Sequence, residues 1–241
     1  MALSALILCA TLLASEPVPL LGDEPGVRVL SSDEILSFAW TLDDDGSWLK
    51  AYDRKDPLYK KFTGLIGARL DASPRGLIRR QRALFKKNGL STAKLDWALA
   101  HPGRIRPMNK LQATLFLTHW RDENPQKREF QAFILRRGGR LRVYYTQSDE
   151  NSAWPKSASV KALLAQDLGA GWTLFAHLHN HPFFFENPSG DFAGTVVPSE
   201  PDAQMYRELA AAMRLERAWI VNGFDAIDIP VTEFPNIPSD D

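Results

Sequence analysis

Three of the five histidines in this 241-residue chain, His177, His179 and His181, lie within five residues of one another. A short Ser-x-x-Asp pattern, from Ser199 to Asp202, follows about twenty residues later. Neutral imidazoles and a carboxylate are the ligands that zinc takes in catalytic sites that keep one coordination position open for water. The residue types therefore predict metal chemistry between positions 177 and 202.

The elements expected around these residues would bring the ligands together. A buried strand is predicted over 172–179, so alternation places His179 and His181 on one side of the backbone. Asp202 is predicted in the first turn of a helix over 199–215, with Ser199 as its N-cap. A Ser-x-x-Asp sequence is by itself an ordinary helix cap, and a His-x-His pair is common. The prediction of a metal site depends on their combination.

The motif HNHP at residues 179–182, followed by SEPD at 199–202, resembles the JAMM (MPN+) metallopeptidase motif H-x-H-P then S-x-x-D. The asparagine between the histidines resembles the RadC-type branch of that superfamily. Members also have a glutamate at the start of an upstream strand, where Glu129 stands here. The resemblance covers roughly residues 107–230. It implies a JAB-type α/β fold and a protein or peptide substrate that could be ubiquitin-like. It also implies zinc on His179, His181 and Asp202, Glu129 as general acid/base and Ser199 as oxyanion stabiliser.

The chain departs from the family pattern in its spacer and its first histidine. The spacer before Ser199 is longer than usual, and it contains three phenylalanines, 183–185, and an Asn-Pro-Ser-Gly-Asp turn. We interpret the segment 183–197 as an inserted loop that gates substrate access. His177 is additional, and packing or hydrogen bonding beside the site is expected for it rather than ligation. Glu186 and Glu200 are the alternatives to Glu129 as the base.

The patterns leave three functions open. The first is a zinc-dependent hydrolase of peptide or isopeptide bonds. The second is an inactive binding or interaction module on the same fold, and the third is a secreted effector whose histidines bind metal only for stability. A zinc deaminase is excluded because its motif needs cysteines, and the only cysteine, Cys9, lies in the N-terminal apolar run.

The expected fold is mixed α+β or α/β. A JAB/MPN-like three-layer domain with a central mixed sheet is predicted over 107–234, after a helical region over 31–106 and a linker over 16–30. A tail over 235–241 is expected to fray. The individual predictions are helices over 35–42 (after a capping box at 31–34), 74–88, 108–123, 156–168 and 199–215, a strand over 172–179, and hairpins over 129–147 and 217–229.

Composition limits the partners. Lysine plus arginine equal aspartate plus glutamate at 29 each, so no nucleic acid or anionic membrane is expected as a partner. The basic run over 75–87 is expected to be a solvated helix face. The apolar segment 2–15 has the length of a signal-peptide core, which predicts an extracytoplasmic or secreted protein. The alternative is an apolar N-terminus on a cytoplasmic one.

Overall fold

The computed structural model describes residues 27–30, 37–67, 73–100, 104–120, 129–147, 157–183 and 194–239. The predicted signal peptide and the predicted capping box at 31–34 lie outside these residues. The strands are β1 (Arg28–Val29), β2 (Ser37–Asp43), β3 (Ile105–Pro107), β4 (Phe130–Arg137), β5 (Arg140–Gln147), β6 (Thr173–Asn180), β7 (Arg217–Val221) and β8 (Asp225–Pro230). The α-helices are α1 (Pro57–Gly67), α2 (Pro74–Lys87), α3 (Ala93–Ala100), α4 (Lys110–Trp120), α5 (Ala158–Gly169) and α6 (Glu200–Met213). Two short 3-10 helices cover Ser47–Leu49 and Val231–Asn236.

The eight strands of the described residues belong to one mixed sheet in the order β1-β2-β5-β4-β6-β7-β8-β3. The pair β6 and β7 is parallel, and the other neighbouring pairs are antiparallel. The connection between the parallel strands contains α6, as a parallel pair requires a crossover segment. The fold is therefore mixed α+β, as the sequence predicts at this level.

The central hairpin forms where the alternation predicts it. β4 and β5 pair from Phe130 with Gln147 to Arg137 with Arg140. The turn consists of Gly138 and Gly139 with φ of 54° and 76°, and two positive φ angles are what a two-residue hairpin turn of this kind needs. β4 is in the middle of the sheet and its first six residues are buried. This rigid strand begins directly after Glu129.

The helix predicted over 35–42 is wrong, because residues 37–43 form β2. Phe38, Trp40 and Leu42 are buried, whereas Ala39 and Thr41 between them are partly exposed. This is the period of two that a strand shows. β2 pairs along its full length with β5, whose residues come about a hundred positions later in the chain. The predicted helical region before residue 107 therefore contains strands as well as α1, α2 and α3. The division into domains stays a prediction.

Helices cover both faces of the sheet. On one face Phe62 of α1 lies edge-on to Phe116 and Trp120 of α4, with ring centroids 4.9 and 5.3 Å apart. On the other face α5 and α6 contribute Leu164, Tyr206 and Leu209 to a second apolar cluster. Each buried aromatic or leucine side chain stabilises the fold by about 1.5–3 kcal/mol relative to exposure. The site described below lies on the second face.

Helix α2 begins where the sequence predicts a helix start. The Ser73 hydroxyl accepts the Gly76 N–H at 3.1 Å and begins α2. The cations of the predicted basic run that are exposed in α2 are Arg75, Arg79, Arg80, Lys86 and Lys87. The 3-10 helix over Val231–Asn236 extends two residues into the predicted tail over 235–241, and Ile237 after it is buried. Within the described ranges no helix combines the length and apolar character needed to cross a membrane.

Candidate metal centre

His179 and His181 lie at the carboxyl end of β6, in the middle of the sheet. His179 is paired with Gln131 of β4 on one side and with Ile220 of β7 on the other. The pairing continues past the last strand residue, because the His181 N–H donates to the Val221 carbonyl at 2.9 Å. Because side chains alternate along an extended chain, both imidazoles point to the same face. That face is the one that α6 covers.

Asp202 reaches the imidazoles from the first turn of α6. The Ser199 hydroxyl accepts the Asp202 N–H at 3.3 Å, and Asp202 Oδ2 accepts the Ser199 N–H at 2.8 Å. These reciprocal bonds form a capping box, which satisfies two backbone donors at the helix start. The Ser199 hydroxyl also donates to Asp202 Oδ2 at 2.7 Å. The cap therefore fixes the carboxylate beside the two histidines.

Nitrogen and oxygen atoms of three side chains come close together. The Nε2 atoms of His179 and His181 are 3.2 Å apart, and they lie 3.2 and 3.3 Å from Asp202 Oδ1 and Oδ2 respectively. In a tetrahedral zinc site with ligands about 2.0–2.1 Å from the metal, two ligand atoms lie about 3.3–3.4 Å apart. The observed distances are close to this value, so the three side chains could hold a metal ion such as zinc.

The hydrogen bonds behind the rings decide which nitrogen faces the centre. His181 Nδ1 lies 2.9 Å from the Thr195 carbonyl oxygen. A carbonyl can only accept, so Nδ1 carries the proton and Nε2 presents a lone pair. His179 Nδ1 lies 3.3 Å from the Tyr206 hydroxyl, which can accept its proton in the same way. Two lone pairs and a carboxylate that face one another are all acceptors, and a cation is the group that satisfies such a set.

The centre is largely removed from solvent. The exposed fractions of His179, His181 and Asp202 are 2%, 6% and 9%. Burial by itself raises the pKa of the Asp202 carboxyl, but protonated imidazoles at His179 and His181 outweigh it through their charges and hydrogen bonds and hold that pKa well below the ordinary value. The carboxylate is therefore ionised and ready to bind a cation without first losing a proton.

Tyr206 is a site residue that the sequence analysis missed. It is fully buried, its hydroxyl lies beside His179 Nδ1, and burial, Asp202 and Glu129 raise its pKa well above the ordinary value. The signal was available, since Tyr206 follows Asp202 by four residues and such residues share one helix face. The contribution of the Thr195 carbonyl gave no signal, because a backbone group in a loop leaves no mark on the residue type.

Glu129 lies on the ligand face of the sheet, one residue before β4. Gln131 is paired with His179, and continuing this antiparallel register by two residues places Glu129 opposite His181. Residues two apart in a strand share a face, so Glu129 shares the face of Gln131 and the ligand histidines. The charge of Glu129 contributes to the raised pKa of Tyr206, which is consistent with that placement. Glu129 is partly exposed.

The two alternative bases are placed differently. Glu200 Oε2 accepts from the ammonium of Lys94 at 2.8 Å, and Glu200 Oε1 lies 3.8 Å from Arg207. These cations hold its carboxylate in an ion pair. Glu186 lies outside the described residues. Of the two candidates that the structure describes, only Glu129 has a carboxylate whose charge raises the pKa of Tyr206. The Tyr206 hydroxyl lies beside His179.

His177 is buried next to the centre, and its nitrogens are not among the converging ligand atoms. Its ring packs edge-on against Phe133 at 4.9 Å and lies 5.7 Å from the ring of His179. Neither ring nitrogen has a hydrogen-bond partner among the described residues. Complete burial, with His179 beside it, lowers its pKa to about 3. His177 is therefore a neutral packing residue in this structure, in line with the packing or hydrogen-bonding role expected for it over ligation.

Both stems of the predicted gating loop are fixed, although residues 184–193 lie outside the described part of the chain. The Gly194 N–H donates to the Pro182 carbonyl at 2.9 Å, and the Asn222 amide donates to the Gly194 carbonyl at 3.0 Å. Phe183 is buried against Gly194, where an added Cβ would come within 2.4 Å of its ring. The loop therefore leaves and rejoins the fold directly beside His181. The gating role stays a prediction.

Comparisons with protein-family models, with curated proteins and with solved structures found no match for this chain.

Proposed function

We propose that this protein is a zinc-dependent hydrolase of peptide or isopeptide bonds of the JAMM type. The observation that carries the proposal is the convergence of His179, His181 and Asp202 with ligand atoms 3.2–3.3 Å apart. Two histidines and one carboxylate leave the fourth tetrahedral position open, as in catalytic zinc sites. Zinc bound there would acidify a water molecule in the open position and polarise the scissile carbonyl.

Glu129 is assigned the proton transfers. It lies directly before the central strand β4 and on the ligand face, and a carboxylate held in this way can take a proton from the attacking water and deliver it to the leaving amine. Rigid placement matters because proton transfer requires hydrogen-bond distances. The pairing of Gln131 with both neighbouring strands supplies that rigidity.

Ser199 is assigned the stabilisation of the oxyanion that forms during the reaction. Its hydroxyl oxygen accepts the Asp202 N–H while its proton points at Asp202 Oδ2. Rotation of that single proton from Asp202 to the substrate would supply an oxyanion donor, and Oγ would go on capping α6. A hydroxyl aimed at developing negative charge is worth more in a dry site than in water.

A second candidate is a metal site that only stabilises the fold, either in an inactive JAB-like module or in an effector protein. It is favoured by the burial of the ligands, since no ligand residue exceeds 9% exposure. The two candidates differ in turnover. Zinc that raises the melting temperature without amide hydrolysis would select the structural role.

The deciding experiment measures hydrolysis by zinc-loaded protein on a panel of quenched fluorescent peptides and lysine-linked isopeptides. Glu129→Gln keeps the shape of the side chain and removes its basicity. We expect it to keep zinc and melting temperature while turnover falls by roughly a hundredfold or more, the usual scale of general acid–base catalysis. Glu208→Gln, on the exposed side of α6, is the matched control and should retain wild-type turnover. Normal turnover by Glu129→Gln would show that the base is misassigned.

A further inference from the structure

Asn180 lies between the two histidine ligands, but its side chain has a partner outside the metal centre. It is the last residue of β6 and is 2% exposed. Its Oδ1 accepts the backbone N–H of Phe130 at 2.7 Å. This N–H belongs to the peptide that joins Glu129 to Phe130. The side chain of Asn180 therefore holds the main chain immediately after Glu129.

We propose that Asn180 is a positioning residue, which fixes Glu129 relative to the ligands of the metal centre. This inference rests on the hydrolase function proposed above. The regular pairing of β4 with β6 ends at Gln131 and His179, and the side chain of Asn180 bonds the peptide that follows Glu129 to the histidine strand. The same residue thus sits between both ligands and ties the base to them.

The bond is short and buried, which makes it effective as a constraint. Phe130 is fully buried, with its ring stacked on Tyr145 at 5.3 Å between centroids. The side chain of Phe130 therefore anchors the peptide from one side, and Asn180 holds its N–H from the strand that bears the ligands. An acceptor in a dry site holds its donor more firmly than one exposed to water.

The chemistry explains why an amide suits this position. The amide oxygen of Asn180 accepts the Phe130 N–H, as an amide carbonyl in this position can. A hydroxyl on Ser or Thr is shorter and would not reach the same point. An aliphatic side chain would leave the buried N–H of Phe130 without its acceptor, which is costly in a protein interior.

The test uses Asn180→Ala, which removes the acceptor, on the best substrate from the peptide and isopeptide panel. We expect kcat to fall about tenfold to a hundredfold, the scale of a catalytic group displaced by about an ångström, with KM and zinc content unchanged. In the Glu129→Gln background the same change should cost less than twofold, because the group being positioned is already inactive. Asn180→Asp keeps an oxygen acceptor and should recover most of the lost turnover.

Two further measurements separate positioning from a general loss of structure. Amide hydrogen exchange of Phe130 should accelerate in Asn180→Ala and not in Asn180→Asp. Asn109→Ala removes another buried asparagine, which accepts the Gln112 N–H at the start of α4, and should lower stability with turnover unchanged.

Three outcomes would overturn the inference: kcat within twofold of wild type in Asn180→Ala, an equal loss in the Glu129→Gln background, or unchanged exchange of Phe130. Wild-type protein that binds zinc and hydrolyses nothing would instead refute the hydrolase function itself, and the positioning role with it.

Discussion

Removal of one histidine ligand should abolish the stabilisation that zinc gives to this protein. The perturbation is His179→Ala or His181→Ala, each of which deletes one of two Nε2 atoms that lie 3.2 Å apart. In the wild type the centre is formed by folding, because β6 and α6 must both be in place before the ligands converge. Metal that binds only the folded chain stabilises it by mass action.

The magnitude follows from that linkage. Free zinc at a hundred times its dissociation constant stabilises the folded state by about 2.7 kcal/mol, and at a thousand times by about 4.1 kcal/mol. For a chain of this size, about 1 kcal/mol shifts the melting temperature by roughly 2–4 °C. The wild type should therefore melt about 5–16 °C higher with zinc than with a chelator, over this range of zinc. Either alanine variant should show no shift at the same concentrations.

The assay combines metal analysis of the purified protein with thermal unfolding in zinc and in chelator. His119→Ala is the matched control, because His119 lies in α4 and its ring packs against Phe130 on the opposite face from the ligands. It should bind one zinc and keep the shift. Full zinc content in both ligand variants would refute the assignment of the ligands. A wild-type melting temperature that is the same in zinc and in chelator would refute it as well.

Three further predictions concern the surroundings of the centre. Tyr206→Phe removes the hydroxyl at 3.3 Å from His179 Nδ1 and should weaken zinc binding about 10–100-fold, the usual effect of losing a partner of a ligand, in a chelator competition assay. Gly223→Ala should lower the free energy of unfolding in urea by at least about 2 kcal/mol, because φ is +88° and the new Cβ would meet the Phe62 ring at 2.3 Å. His177→Phe should flatten the loss of stability in acid: the pKa of His177 is about 3 in the fold against about 6.5 when unfolded, so the unfolded chain binds its proton first. The stability of the wild type should therefore fall as pH drops from 6.5 towards 3, by up to about 1.4 kcal/mol per pH unit from this residue, as urea unfolding at several pH values in chelator measures.

Matched variants isolate the cause of each effect. Gly171→Ala has nearly the same φ, +87°, with nothing within 4 Å of the new Cβ, so it should cost only the left-handed strain of about 1–2 kcal/mol. Tyr59→Phe, on α1, should leave zinc affinity unchanged. Equal losses of stability in the two glycine variants would contradict the clash with Phe62. If the stability of His177→Phe falls with pH as steeply as that of the wild type, His177 is not held neutral by the fold.

The sequence predicts best the elements whose signals are local. The hairpin around Gly138 and Gly139 and the start of α6 at Ser199 depend on a turn and a cap that lie within four residues of the chain. β2 was missed because its pattern over a few residues suits a helix or a strand, and the choice is made by pairing with β5. The order of the strands in the sheet could not be predicted for the same reason, since sheet neighbours are selected by burial across the whole chain.

The site divides in the same way. The ligand types could be predicted because two of them lie two residues apart and the third follows a recognisable cap. The role proposed for Asn180 could not be predicted, because only the folded sheet brings the Phe130 N–H to its side chain. Tyr206 could have been found from its four-residue spacing to Asp202, but its contact with His179 Nδ1 depends on the fold. Sequence patterns identify the groups that bind, whereas the groups that hold them depend on tertiary contacts.

The Ser-x-x-Asp pattern shows why a structural and a functional interpretation need not compete. As a cap, Asp202 uses Oδ2 to accept the Ser199 N–H at 2.8 Å. As a candidate ligand, it presents Oδ1 to His179 Nε2 at 3.2 Å. The geometry that satisfies the helix start also sets the direction of the carboxylate, so the three-residue spacing is required by the cap before any metal is considered. In Asp202→Glu the carboxylate would lie farther from the backbone. It could then accept the Ser199 N–H or face the histidines, but not both, because the length of the aspartate side chain is what allows one carboxylate to do both.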